Sequence, residues 1–249
     1  MVMLCAMALM GLVVGGVAVT VGGGVTIGVP LLLLMGHSAA AAIATVKFAL
    51  VGSFFTGTLA HRRGVAAPVR IPWVLWPLAA AGSVMGSLIV TGVDDRVLRI
   101  IVATMMAVVL WITYRTDFSA RAATSAPAAR LPLAGIATVF ALCVYSGFFG
   151  AGFGTFLIFA LMHFFGLSFS DSASVMTRLN LLVVGSSVTT FITHGAVDFQ
   201  WGIPLFIGCA LGGVMGAWVA RVLSPERMKT VFLAGTMLVG VKLIWDAMA

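Results

Sequence analysis

The chain has 249 residues, 61% of them hydrophobic and only 8% charged, with a formal net charge of +7. A soluble domain carries about 25% charged residues, so a soluble fold is excluded. Helix-length apolar runs stand where a membrane β-barrel would show alternating segments of about ten residues. The positive charge lies in short loops between those runs, as positive-inside topology requires, and does not signal nucleic acid. The class is an all-α polytopic membrane protein whose solvent is the lipid bilayer.

In chain order, long apolar runs occupy 2–20, 38–60, 72–91, 97–114, 131–149, 170–193, 202–220 and 230–247. That makes about eight transmembrane helices, each near the ~20 residues that a crossing needs. The first run has no positive n-region and reads as a span, not as a cleaved signal. Two further pieces, 25–35 and 154–165, are too short to cross. Glycine precedes each: Gly22-Gly23-Gly24 before the first, Gly152-Phe153-Gly154 before the second. They read as half-helices or re-entrant segments, tolerated at membrane depth only where protein or a water-filled cavity covers the broken backbone.

Between the runs, the loop 61–70 holds Arg62, Arg63 and Arg70, and the loop 221–229 holds Arg221, Arg227 and Lys229. Both are expected in the cytoplasm, with the longest loop, 115–130, which holds Arg115, Arg121 and Arg130. The loop 92–99 mixes Asp94 and Asp95 with Arg96 and Arg99, and the loop 194–201 carries only Asp198.

Landmarks recur at one offset. Lys47 and Arg178 stand 131 positions apart, as do Gly64 and Gly195. Gly82-Ser-Val-Met-Gly86 echoes Gly212-Gly-Val-Met-Gly216 at 130, and Gly22 and Gly24 map onto Gly152 and Gly154 at the same distance. Two homologous repeats are expected, 1–114 and 131–249, joined by a cytoplasmic linker at 115–130. The swapped charge of matching loops favours inverted over parallel repeats. The two G-x-x-x-G patterns read as helix packing. Pro30 corresponds to Ala160, so the halves differ there.

Lys47 and Arg178 carry the chemistry. Each lies about ten residues into an apolar run, where a cation costs at least ~2.5–3.5 kcal/mol. No Asp or Glu lies at depth inside the runs to neutralise them; Asp171, one residue into its run, is nearest and reads as a helix cap. Snorkelling to the interface is the bland alternative. Otherwise a substrate anion has to supply the missing charge, and removing either cation should spare the fold. Thr45, Ser174, Thr177 and Asn180 add uncharged donors suited to oxyanions. The backbone N–H groups of Gly22, Gly23, Gly24, Gly152 and Gly154 would open half-helix N-termini, which attract anions. The two breaks should then meet, with Gly23 near Phe153. Matched Gly-interrupted segments in two halves point to a transporter binding site.

Other groups carry less. Cys5, Cys143 and Cys209 have no metal or redox spacing, and the four histidines have no ligand spacing. Tyr145-Ser146-Gly147 places a serine in the membrane without a base or a G-x-S-x-G elbow, so no enzyme is expected. No cofactor is expected either.

The first half runs G-G-G at Gly22–Gly24, P-L-L-L from Pro30, G-H-S at Gly36–Ser38, A-T-V-K to Lys47 and H-R-R-G from His61. The second runs G-F-F-G-A-G-F-G-T-F from Gly147, G-L-S from Gly166 and H-G-A-V-D-F from His194. In that order and spacing they resemble the two repeats of the TauE/SafE sulfite-exporter family, over essentially the whole chain. The resemblance implies a secondary transporter of small sulfur-containing anions (sulfite, sulfoacetate or related organosulfonates), exporting them across the inner membrane. A passive anion channel or a transporter of another small organic anion is the alternative, and a homodimer is one option for assembly. Sulfite and bisulfite interconvert near neutral pH, so a proton could travel on the substrate itself. A cysteine replacing Ser119 is expected to react with impermeant thiol reagent only from the cytoplasmic side.

Overall fold

A computed structural model describes residues 2–62, 72–115 and 133–222. All regular structure among them is helical: α1 (Val2–Val21), α2 (Gly24–Leu34), α3 (Ala39–Arg62), α4 (Leu75–Gly92), α5 (Asp95–Arg115), α6 (Leu133–Phe148), α7 (Phe153–Phe165), α8 (Phe169–Thr193) and α9 (Phe199–Val222). Among the described residues α1, α3, α4, α8 and α9 are long and apolar enough to cross a membrane. The short pieces at 25–35 and 154–165 are α2 and α7. The run at 230–247, the basic stretch of 63–70, the linker beyond Arg115 and the loop from 223 lie outside the described residues.

Two details correct the sequence reading. The expected loop at 92–99 is only Val93 and Asp94, because α5 already begins at Asp95. Asp95 therefore sits in a helix first turn, where the helix dipole favours it. Asp171 is also not the cap of α8. Ser168 is, its hydroxyl accepting from the Asp171 N–H at 3.1 Å while donating to Asp171 Oδ2 at 2.7 Å. The acid in the first turn thus holds the hydroxyl that caps the helix.

Helix direction follows from close approaches. Gly208 packs on Ala8, Gly212 on Leu12 and Gly16, and Gly216 on Gly16, so α1 and α9 run parallel in one register. Gly202 lies on Phe48, and Gly213 on Ser53 and Thr56, so α3 runs the same way. Gly82 packs on Phe140 and Val144, and Gly86 on Val144 and Phe148, so α4 and α6 are parallel to each other. They oppose α3: α5, which follows α4, opens beside the start of α3, where Asp95 Oδ1 accepts from the Ala39 N–H at 2.5 Å. The exit of α8 meets the start of α3 as well, through the Asp198 N–H on Thr45 Oγ1 at 3.0 Å, so α8 opposes α3.

Small residues make these crossings possible, since with lipid outside the helices attract mainly by close packing. Threonine and serine hydroxyls add to it: Thr56 donates to Ala210 O at 2.7 Å, Ser53 to Gly15 O at 2.8 Å, and Ser83 pairs with Ser187 at 2.6 Å. One apolar core gathers around α1, α2, α3, α5, α9 and the later half of α8, and a second around α4, α6, α7 and the earlier half of α8. A Cβ on Gly86 or Gly212 would overlap the facing backbone, whereas one on Gly185 meets open space. Gly86→Ala and Gly212→Ala should each lower stability by ~1–3 kcal/mol. Gly185→Ala should leave it equal or slightly higher. Thermal unfolding in detergent, followed by size-exclusion fluorescence, reads both.

Candidate functional site

The α1–α2 and α6–α7 turns converge at the middle of the bundle. Gly22 leaves α1 with φ +71, and its Cα stands where a Cβ on Gly154 would be, at 2.6 Å. Gly152, with φ +69, opens α7. The left-handed backbone and the backbone-to-backbone approach both require glycine. Gly24 lies against Ala18, Val14 and Leu50, and Leu50 is halfway along α3. The breaks therefore lie deep among helices, and the expected pair of Gly23 and Phe153 is displaced by one residue at each end, to Gly22 and Gly154.

Neither short helix is capped by its own side chain at the N-cap, which is Gly23 for α2 and Gly152 for α7. Thr26, fully buried, donates its hydroxyl back to Gly23 O. The N-terminal N–H groups of two half-helices thus approach one level of the bundle, and each end carries the positive pole of its helix.

Lys47 is 1% exposed, on a stretch of α3 buried on all faces from Ala42 to Val46. Its Nζ donates to Ser146 O at 2.6 Å and to Gly147 O, and lies 5.3 Å from the centre of the Phe191 ring. Ser146 and Gly147 are in the last turn of α6, whose final carbonyls have no partner within the helix. The ammonium therefore caps the negative end of α6. A carboxylate is not needed to hold this cation, so the sequence argument that only a substrate anion could answer it does not hold for Lys47. The ring adds a cation–π attraction.

The other candidates take different places. Arg178 is half-buried on α8, and its Nε donates to Ser174 O one turn back at 3.2 Å. Thr177 is buried and donates to Ala173 O at 2.9 Å. Asn180 donates to Met176 Sδ at 3.6 Å, and that sulfur lies beside Gly154. Thr45 serves the α8–α9 connector through Asp198. The structure so joins Gly22, Gly154, Met176 and Asn180 at one break and Lys47, Ser146, Gly147 and Phe191 at the end of α6. Within the same last turn, Tyr145 donates to Ala151 O at 2.6 Å and fastens the α6–α7 turn. Sequence reasoning missed the part played by the Ser146 and Gly147 carbonyls. The available signal was a helix C-terminus that lies deep because its helix is short and runs into glycine.

Comparison with known proteins gives transporters. Over 227 residues the chain is 23% identical to a probable membrane transporter protein of Haemophilus influenzae, covering 90% of this chain and 88% of that one. It is 25% identical to the probable membrane transporter protein YfcA of Escherichia coli, covering 91% and 84%. It is 27% identical to the probable membrane transporter protein ORF9 of a Sinorhizobium species, covering 90% and 86%. No solved structure matches. Residues 7–243 match the family model described as sulfite exporter TauE/SafE. With almost its whole length accounted for in this way, the chain belongs to the sulfite exporter TauE/SafE family of multi-pass membrane transporters.

Proposed function

We propose that the protein is a secondary transporter that exports small sulfur-containing anions, such as sulfite, sulfoacetate or a related organosulfonate, across the inner membrane. The observation that carries this reading is the meeting of two uncapped half-helix N-termini deep in the bundle, beside the end of α6 that Lys47 holds. Discontinuous helices of this kind aim positive dipole ends at anionic groups. The opposed directions of α3 and α8, and the exchange of α1·α9 for α6·α4 contacts, favour reading the halves as inverted repeats.

In this site the anion lies between the breaks of α2 and α7. An ammonium has three N–H donors. Two of those on Lys47 serve the α6 carbonyls, and the third serves the anion. Arg178 offers its planar fork to a sulfonate, and Asn180, on the face of α8 that carries Met176 to the break, adds a donor. The role of Lys47 is thus double, in the fold and in binding.

Proteoliposome counterflow against sulfite, sulfoacetate, other organosulfonates and carboxylates tests the substrate class. Flux with and without a pH gradient separates a transporter from a passive channel. Arg178→Lys should weaken transport and leave part of it, whereas Arg178→Met should cost about 2 kcal/mol of anion binding, roughly thirtyfold. Lys47→Met should lose binding and also stability, by ~1–3 kcal/mol, because two buried carbonyls lose their donor. A Lys47→Met protein as stable as wild type would remove its role in the fold. Variants of both cations that still exchange anions at wild-type rates would remove the site.

A further inference from the structure

Away from the glycine breaks, three elements meet at the end of the bundle where α3 starts, opposite the end where α3 finishes at Arg62. They are the α2–α3 connector with His37, the first turn of α5, and the α8–α9 connector with Asp198. His37 Nδ1 stands 3.8 Å from Asp198 Oδ2, with side-chain exposures of 14% and 35%. The imidazole also meets Trp201 of α9 edge to face, with ring centres 5.7 Å apart. At 3.8 Å this is not a hydrogen bond. It is an approach that a gain of charge could close.

The surrounding charges are already engaged. Arg99 donates from Nε to Asp95 Oδ2 at 2.8 Å and from Nη2 to His37 O at 2.9 Å, so its guanidinium fixes the His37 backbone and not Asp198. Burial pushes the Asp95 carboxyl up, but hydrogen bonds from Arg99 and the Ala39 N–H, with the Arg99 charge, outweigh it. They hold the group below the usual carboxylate range, which leaves it ionised at neutral pH. Asp94 Oδ1 accepts from the Arg96 N–H at 2.9 Å, and His194 turns back onto Thr190 O at 2.8 Å. Asp198 Oδ1 accepts from the Gln200 N–H at 3.1 Å and steadies the start of α9. Its other oxygen faces His37. Among the described residues, no other basic side chain stands within ion-pair reach of Asp198.

We propose that His37 and Asp198 form a proton-binding latch joining the α2–α3 connector to the α8–α9 connector. Uptake of one proton gives His37 N–H groups on both ring nitrogens and a positive charge. Nδ1–H then donates to Asp198 Oδ2, and a charge-assisted bond of that kind settles at about 2.7–2.9 Å, roughly 1 Å closer than now. The charge of the pair passes from −1 to 0. Lys47 lies eight residues into α3, roughly 12 Å further along the helix. An anion reaching Lys47 from this end passes the pair, and meets one negative charge fewer when the proton is bound. Proton binding and anion binding then favour each other, by reciprocity of linked equilibria. Only this last consequence rests on the transporter reading; the latch itself does not.

The test uses the full chain in nanodiscs, in Bis-Tris propane chloride free of sulfur oxyanions, between pH 8 and 5. Protonated imidazole quenches a neighbouring indole. The emission contributed by Trp201, taken as wild type minus Trp201→Phe, should fall with pH in a single step. His37→Gln should abolish that step. For the latch, nitroxides at Met35→Cys and Gln200→Cys, in a Cys5→Ser background, should move closer and narrow in distribution at pH 5.5 relative to pH 8. Asp198→Asn should leave their distance independent of pH. Emission without a step, or a step that survives in His37→Gln, overturns the proton site. A spin-label distance that ignores pH, or that responds equally in Asp198→Asn, overturns the latch. Neither measurement involves an anion. A protein that passes both and exchanges no sulfur anion has lost the proposed substrate, not the latch.

Discussion

The approach of Gly22 to Gly154 constrains everything near the centre of this bundle. Broken backbone inside a bilayer leaves N–H and C=O groups with no water to bind, so it must be covered by protein or line a cavity. Here each break is covered partly by the other. That is possible only without side chains, since a Cβ on either glycine would enter the other's backbone. With the two turns held at one level, α1 and α6 must end there and α2 and α7 must start there. The long helices α3 and α8 then complete the enclosure, with Leu50 and Met176 closing on Gly24 and Gly154.

Lys47 belongs to the same arrangement. A helix that stops inside a membrane exposes carbonyls as well as N–H groups. For α6 those carbonyls meet an ammonium from a neighbouring helix. A buried charge is tolerable when hydrogen bonds satisfy it, and removing its partner is expensive. The lysine and the helix end therefore stabilise each other, and neither would be placed there alone. In the reading proposed above the same ammonium also holds the anion, which would tie the geometry of α6 to the occupant of the site.

Much of this was legible in the sequence, for reasons that differ by element. Among the described residues, all nine helices fall on the apolar runs or on the short pieces that glycine precedes. A helix in lipid needs little beyond hydropathy and length, and its ends fall at charge, Gly or Pro. The first turn of α5 reads as loop because its charge interrupts the apolar run; in the fold Asp95 suits that turn and, with Arg99, clasps the neighbouring connector. Ser168 caps α8 one turn before the Asp171 that composition points to, a difference that composition cannot resolve. At the site, Lys47 was found by its depth. Its carbonyl partners were not, because an acceptor made of backbone has no residue type. His37 and Asp198 lie 161 positions apart, and only the fold brings them to one place.

The glycine seam between α1 and α9 has a consequence for how the chain is made. Ala8 packs against Gly208, so the two faces of that seam leave the ribosome 200 residues apart. At ordinary synthesis rates of about 5–20 residues per second, α1 waits roughly 10–40 seconds in the membrane for its partner. During that interval its small-residue face is open to lipid and to other nascent helices. The seam between α4 and α6 closes much sooner. The order of synthesis thus closes the α4–α6 seam first and the α1–α9 seam later, which makes assembly sensitive to any delay in the second half of translation.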